Sequence, residues 1–549
     1  MQSSFNRLRF LDQLPISTHL EWDHQIYRLN LLRYSLVTSL KMADFIKFSP
    51  LLISTTIKHY INGPPRPSWN LKCHLLYALF KSLFSPTTMS AKTIEQMQED
   101  TFRPNPVLAG VMINEFKINN KYRHEAQVHV EKILKPYEHV LDTEWKDLKD
   151  DGINVEWVQV LNDGWEKKEV RKTILYLHGG GYYLCSKEFS RNVTSSIAKK
   201  VDARVLAINY RLAPQNQFPA GLQDALAAYL YLLNPSKDAG FEPLNPKNIV
   251  ISGDSAGSGL SLALSLAIRD AGLPSCAGIN CWSPLVDLTH STPSVSDDEC
   301  IDYLPNLARG IDHAESQVRK EFKEKAAALT AKIKNQNLGP KIWHDSFDRS
   351  YRLEIYAPNE GLAIPYVSPM LAESLGNLPP LLLVTGGDER LRDEVIYFAH
   401  RSAEPTKYKG PSYNAGKFEK SPFQTPTNTT LEVYEEMLHV FQGMEHPSTT
   451  RCYERMVEFI NRVTSALNEP LPPSSYNCIS AKGEFGPLKD HHKRVLNWEK
   501  IVLSSIMQRR TIAWLNVTEH HCHVRVNLLE REVWIKISGT EDDDVNFVI

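Results

Sequence analysis

Asn248-Ile249-Val250-Ile251-Ser252-Gly253-Asp254-Ser255-Ala256-Gly257-Ser258-Gly259-Leu260 joins an apolar, β-branched run to a helical pattern through the five residues Gly-x-Ser-x-Gly. A strand that turns sharply into a helix lifts a serine hydroxyl to the crest of the turn, and small neighbours let the backbone close around it. The N–H groups at the start of the helix also favour negative charge there. Glycine and serine are common enough for such a pattern to arise by chance. Its meaning therefore depends on what stands on either side.

On either side, short apolar runs alternate with helical patterns, as in a mostly parallel sheet with crossover helices. Strands are expected at Val155 to Val160, Thr173 to His178, Arg204 to Asn209, Asn248 to Gly253, Gly278 to Trp282, Pro380 to Thr385 and Thr430 to Tyr434. Helices are expected at Phe218 to Leu233, Ala256 to Ala271, Asp393 to Arg401 and Thr449 to Leu467. Two segments interrupt the alternation. One, 289–362, carries a charged helix in which Val318, Phe322, Ala326, Leu329 and Ile333 recur at helical spacing. The other, 404–428, is rich in Pro, Lys, Gly, Ser and Thr and reads as a loop.

His178-Gly179-Gly180-Gly181 directly follows the run Thr173 to Leu177. Acyl transfer passes through a tetrahedral oxyanion, for which pre-aimed backbone N–H donors are usually the largest stabilising influence. Gly179, Gly180 and the residue after the serine, Ala256, are the expected donors. His178 is expected to be structural. A serine hydroxyl needs a base, and the chain order of such sites is serine, acid, histidine. His400 falls in a helical pattern and His446 lies beyond a loop, whereas His439 ends the apolar stretch from Leu431, where sites of open α/β sheets form. Asp388, Glu389 and Asp393 all follow the strand ending at Thr385 and are placed to be the acid.

Composition narrows the partner. The 549 residues carry a net charge of −2, which removes a general electrostatic case for nucleic-acid binding. A small lipophilic molecule is the better expectation. Eight cysteines without paired spacing read as reduced thiols, and no cofactor or metal is expected. His520-His521-Cys522-His523 lies in an alternating stretch, where neighbouring side chains point to opposite faces and cannot converge on one ion. Charges at Arg7, Arg9, Asp12, Glu21 and Asp23 interrupt any signal-peptide core, so the expected location is intracellular, in the cytoplasm or at the surface of the endoplasmic reticulum or lipid droplets. Phe45 to Ile61 and Leu71 to Phe84 are too interrupted by Lys and His to span a membrane, but suit helices covering a site or lying on a lipid surface. The expected organisation is an extension at 1–43, a segment at 44–135 that could lie on a membrane surface, a catalytic domain at 136–467, and a C-terminal extension at 468–549.

These residues, with Tyr210-Arg211-Leu212-Ala213-Pro214, Phe218-Pro219-Ala220 followed by Asp224, Ser283-Pro284 and Leu391-Arg392-Asp393-Glu394, resemble the hormone-sensitive-lipase family of α/β-hydrolase esterases over roughly 150–467. Gly63 to Trp69 resembles a segment of the family's fungal members, the steryl-acetate deacetylases. The resemblance implies an α/β-hydrolase fold in which 44–135 is an N-terminal helical cap, and hydrolysis of apolar esters. It also implies a triad acid two residues before Leu391, at Glu389, where Arg390 replaces the family's usual proline and Asp388 is the alternative. Plant gibberellin receptors resemble the same fold, keep the serine turn and lack the histidine. A non-catalytic binding protein, or a membrane-surface scaffold with a vestigial site, is therefore the competing expectation.

Overall fold

In the computed structural model, which describes residues 42–149, 151–161, 172–310, 312–335, 354–408, 421–464, 469–497, 522–528 and 531–537, the apolar runs lie side by side in one sheet. Its strands are β1 (Val111–Ile118), β2 (Ile153–Val160), β3 (Thr173–Leu177), β4 (Arg204–Ile208), β5 (Ile249–Asp254), β6 (Gly278–Trp282), β7 (Leu381–Gly386), β8 (Thr429–Tyr434), β9 (Ser475–Ile479) and β10 (Phe485–Pro487). Their spatial order is β1-β2-β4-β3-β5-β6-β7-β8-β9-β10. Pairing is parallel from β4 through β9 and antiparallel at the β1–β2, β2–β4 and β9–β10 contacts.

The helices used below are α1 (Met42–Asn62), α2 (Leu71–Leu83), α3 (Ile94–Thr101), α4 (Lys121–Leu134), α5 (Arg191–Val201), α6 (Ala220–Leu233), α7 (Ser255–Ala271), α8 (Gln317–Asn335), α9 (Arg392–Ala403) and α10 (Pro447–Val463). Side chains alternate across the sheet, as the two-residue period of a strand requires. Leu175, Leu177 and Ile251 share a core with Val130 of α4, Leu226 of α6, Leu264 of α7 and Ile396 of α9. Ile174, Tyr176 and Val250 share the other core with Ile197 of α5 and Met456 of α10. Strands covered on both faces have no solvent-facing side to show, which is why the central ones read as mostly apolar runs.

The edges depart from expectation. The sheet starts at Val111, inside the segment expected as a helical cap, and α4 packs on α6 and α7 as part of the body. It also continues past residue 467 through β9 and β10, so the span 136–467 is too narrow at both ends. Edge strands are half exposed and mix polar with apolar residues, so their sequences carry little strand pattern. Within 289–362, α8 buries Phe322 and Ala326 of its apolar stripe as its spacing implies, and Lys325 pairs with Glu144 at 2.7 Å. At the far end, β11 (Cys522–Leu528) and β12 (Arg531–Ile537) form an antiparallel hairpin; His520 and His521 lie outside the described residues.

Gly63 to Trp69 explains how the N-terminal helices attach. Arg66 makes a two-pronged pair with Asp388 at 2.6 Å, Ser68 N–H donates to Glu436, and Trp69 Nε1 donates to the Glu436 carbonyl at 2.7 Å. Asn70 caps α2 by accepting from Cys73 N–H at 2.9 Å. The segment is thus pinned to the loops after β7 and β8. Among the described residues, no helix is long and apolar enough to cross a membrane.

Candidate active site

The turn between β5 and α7 places Ser255 at φ 52°, in the left-handed region that costs a non-glycine residue about 1–2 kcal/mol. Its neighbours enforce the turn. A Cβ on Gly257 would stand 2.1 Å from the Leu177 carbonyl oxygen and 2.4 Å from that of His178, so only glycine lets α7 start this close to β3. At the crest, Ser255 Oγ lies 2.8 Å from His439 Nε2. His439 comes from the loop after β8 and is buried.

Glu389 and Asp388, adjacent in sequence, turn opposite ways. Asp388 faces outward into the Arg66 pair. Glu389 is fully buried, with Oε2 3.8 Å from His439 Nδ1, an ionic contact longer than a hydrogen bond. Its carboxylate accepts from Ser283 Oγ at 2.6 Å, Thr385 Oγ1 at 2.8 Å and Gly386 N–H at 3.0 Å. Ser283 also accepts from Val440 N–H at 3.1 Å, so the Ser283-Pro284 motif ties the acid loop to the histidine loop. Asp393, the third candidate acid, has different work: it accepts from Ser294 N–H at 3.1 Å and from the Arg392 guanidinium at 2.9 Å.

Burial pulls the His439 imidazole down, but the carboxylates of Glu389, Asp302 and Asp254 more than offset it and hold its pKa above the ordinary value. Asp302 is a group the sequence reading missed. It sits in the 289–362 insertion, is buried, and accepts from His439 main-chain N–H at 3.3 Å. No motif pointed to it, because only the folded chain brings residue 302 to residue 439. The two other histidines considered as bases are occupied elsewhere. His400 Nδ1 meets the Ile396 carbonyl and its ring stacks on Tyr476, while His446 caps α10 by accepting from Ser448 N–H.

The triple-glycine loop departs from expectation at its first residue. Gly179 N–H donates to Asp254 Oδ1 at 3.1 Å, and Tyr176 Oη donates to the same oxygen at 2.5 Å. Asp254, the residue just before Ser255, folds beneath the loop and takes up this donor. A Cβ on Gly179 would clash with Asp254. Among the described residues, the N–H groups of Gly180 and Ala256 have no acceptor. Gly180 itself has φ 104°, and a Cβ there would lie 2.2 Å from the Leu184 carbonyl oxygen. His178 stacks on Tyr210 at 4.4 Å between ring centroids, and burial pushes its pKa down to about 4, leaving it neutral and structural.

Two further motifs brace this end of the sheet. Asp224, fully buried in α6, accepts from Arg211 N–H at 2.8 Å and from Arg123 Nε at 2.7 Å, joining the Tyr-Arg-Leu-Ala-Pro segment to α4. Tyr303 packs 5.8 Å from the His439 ring, and Phe80 and Phe84 from the end of α2 meet Tyr303 at 5.2 and 5.6 Å. An aromatic wall contributed by the N-terminal helices and the insertion therefore stands beside the imidazole.

Two clusters of metal-ligand type occur among the described residues, both internally satisfied. Glu435 accepts from Cys478 and Lys489 and meets His492, and Glu115, Glu156 and Glu188 surround Lys187 and Arg191. The site itself contains a serine hydroxyl 2.8 Å from an imidazole, buried carboxylates and free backbone donors.

Comparison with known proteins gives a family model for the α/β-hydrolase fold matching residues 174–340. An acetyl-hydrolase of Streptomyces hygroscopicus is 30% identical over 293 residues, which is 53% of this chain and 73% of the relative. Neutral cholesterol ester hydrolase 1 of Mus musculus is 26% identical over 264 residues, covering 43% of this chain and 64% of the relative. Among solved structures, an esterase of the bacterial hormone-sensitive lipase family aligns over 71% of this chain and 98% of its own, at 22% identity and a TM-score of 0.45.

Proposed function

Because the chain belongs to the hormone-sensitive-lipase family of α/β-hydrolase esterases, we propose that it hydrolyses carboxylic esters of lipophilic compounds, with Ser255 as nucleophile, His439 as base and Glu389 as the acid that orients it. The observation that carries this reading is the 2.8 Å approach of His439 Nε2 to a serine held at the crest of a strained turn. Ser255 Oγ attacks the ester carbonyl as His439 Nε2 takes its proton. The carbonyl oxygen becomes an oxyanion, for which the N–H groups of Gly180 and Ala256 are the free donors. Collapse expels the alcohol, which receives the proton from His439. Water, deprotonated by the same imidazole, then releases the acid and restores the serine.

The wall of Phe80, Phe84 and Tyr303 supports an apolar substrate group beside the base, and acetyl esters of sterols or similar alcohols fit such a surface. Contact with a lipid surface belongs to the same reading. Ile53, Ile57, Tyr60 and Ile61 recur along one face of α1 and are all exposed, Ile61 to 77%. Such contact fits an enzyme in the cytoplasm that reaches membranes or lipid droplets peripherally.

A single panel tests these points. Purified protein is given p-nitrophenyl acetate, butyrate and octanoate in solution and a sterol acetate in phosphatidylcholine vesicles, with vesicle flotation on the same preparation. Turnover of short p-nitrophenyl esters, hydrolysis of the vesicle-borne acetate and co-flotation are expected. Saturable binding of these esters without turnover of any of them would instead favour the non-catalytic binding protein.

A further inference from the structure

Arg390 follows Glu389 directly, and its side chain is buried, 8% exposed. Its guanidinium meets no carboxylate among the described residues. Nε donates to the Leu304 carbonyl at 3.0 Å, and Nη1 donates to those of Val295 and Asp297, both at 2.9 Å. Its main-chain N–H donates to Asp302 Oδ2 at 3.0 Å, a bond that a proline at this position could not make. Every one of these acceptors lies in residues 295–304 of the insertion. The other oxygen of Asp302 accepts from Tyr303 N–H at 2.8 Å and from His439 N–H at 3.3 Å.

A buried carboxylate is costly unless hydrogen bonds or opposite charge support it. Asp302 has three main-chain donors and, among the described residues, no side-chain ion pair. The charged group that gains most from it is the imidazole of His439 at the moment it becomes cationic. Resting on the reading of Ser255 and His439 as nucleophile and base, we propose that Asp302 is a positioning residue. Arg390 clamps residues 295–304 so that Asp302 fixes the main chain at His439 and sets a second buried carboxylate beside Glu389, stabilising the imidazolium formed when Ser255 yields its proton.

The titratable groups facing His439 are Glu389 from the loop after β7, Asp254 from the serine turn, and Asp302 and Tyr303 from the insertion. Those facing Asp302 are His439, Glu389, Tyr303 and Cys300, with Arg390 beside it. Burial pushes the Cys300 thiol up to about 12 and raises the Tyr303 phenol as well, so both stay neutral. Burial, and after it the neighbouring Glu389 carboxylate, raise the carboxyl of Asp302, while His439 and the N–H donors of Arg390 and His439 offset part of that rise.

The test is the pH profile of kcat/KM for a p-nitrophenyl ester in the full chain. Only neutral imidazole can take the serine proton, so activity falls on the acid side as pH drops through the pKa of His439. Removing the negative charge in Asp302→Asn destabilises the imidazolium and lowers that pKa. The acid limb should move to lower pH by about half a unit or more, with kcat down roughly tenfold and KM within about twofold. An acid limb at the wild-type position in folded Asp302→Asn overturns the proposal, whatever happens to kcat. Should Asp302→Asn fail to fold, Asp302→Ser, which also removes the carboxylate charge while keeping a hydrogen-bond acceptor, is read by the same criterion. Ester turnover surviving in Ser255→Ala would instead remove the reading of the site on which the proposal rests.

Discussion

Ser255→Ala is expected to reduce ester turnover to near the uncatalysed background, a loss of roughly 10⁴-fold or more in kcat. Alanine lacks the hydroxyl that His439 Nε2 approaches at 2.8 Å but meets the same backbone demand at φ 52°, so the turn between β5 and α7 should survive. Thermal midpoint should therefore change little. His439→Ala should cost about as much as Ser255→Ala, and the double variant should be scarcely worse than either, because a nucleophile without its base and a base without its nucleophile are equally idle. Steady-state kinetics with a p-nitrophenyl ester, beside thermal melts, check all three. Folded Ser255→Ala protein retaining more than about a tenth of wild-type kcat would contradict the mechanism.

Glu389→Gln carries the second large expectation. Glutamine keeps the length of the side chain: its amide oxygen can accept from Ser283 and Gly386 while its amide nitrogen donates to the Thr385 hydroxyl oxygen, so the pocket should hold its shape. What it loses is the negative charge opposite His439 Nδ1 at 3.8 Å, which favours the correct tautomer and stabilises the imidazolium. A fall of roughly 10³- to 10⁴-fold in kcat is expected, far exceeding any rise in KM.

Two neighbours serve as controls. Asp388→Asn breaks an ion pair that is only partly buried, with Arg66 33% exposed, so it should leave kcat within roughly threefold and loosen the attachment of residues 63–69. Asp393→Asn weakens the bonds to Ser294 and Arg392 and should lower the thermal midpoint by a few degrees before it affects kcat, as the loss of about 1 kcal/mol does in a domain of this kind. An inactive Asp388→Asn beside a near-normal Glu389→Gln would place the acid one residue earlier.

The parts of this molecule that were legible from residues alone are those whose requirements are local. Strands β3 and β5 to β8 are covered on both faces, so they are mostly apolar, with Ser252, Asn280 and Glu432 buried among them, and their runs stand out. The serine turn is legible for a similar reason, since the contact of Gly257 with the end of β3 admits no side chain. Strand β1, Val-Met-Ile-Asn-Glu-Phe-Lys-Ile, is half exposed at the sheet edge and offers neither a continuous run nor a clean alternation. Helix α5, Arg-Asn-Val-Thr-Ser-Ser-Ile-Ala-Lys-Lys-Val, is full of weak helix formers and is held by packing against the sheet and α10 rather than by propensity.

The site divides along the same line. Ser255, His439 and the glycines announce themselves through motif and chain order. Choosing between Glu389 and Asp388 required the direction each side chain takes, which depends on Arg66, more than 300 residues away in the chain. The diversion of Gly179 N–H to Asp254 and the arrival of Asp302 beside His439 are products of long-range folding with no local mark. Arg390 in place of proline, beside Glu389 where the family commonly has Asp, was a visible departure in this region. Its meaning emerged only from the carbonyls it reaches.

The most direct test of the account is covalent labelling. A fluorophosphonate probe reacts with a hydroxyl only where a base activates it and donors stabilise the resulting adduct. Incubating the wild-type protein with the probe and mapping its peptides should find one adduct per chain, on Ser255, with ester turnover lost in proportion to labelling. No adduct should form on Ser255→Ala. Labelling of a different residue, persistence of labelling in Ser255→Ala, or full turnover by protein labelled at Ser255 would contradict the assignment of Ser255 as the nucleophile.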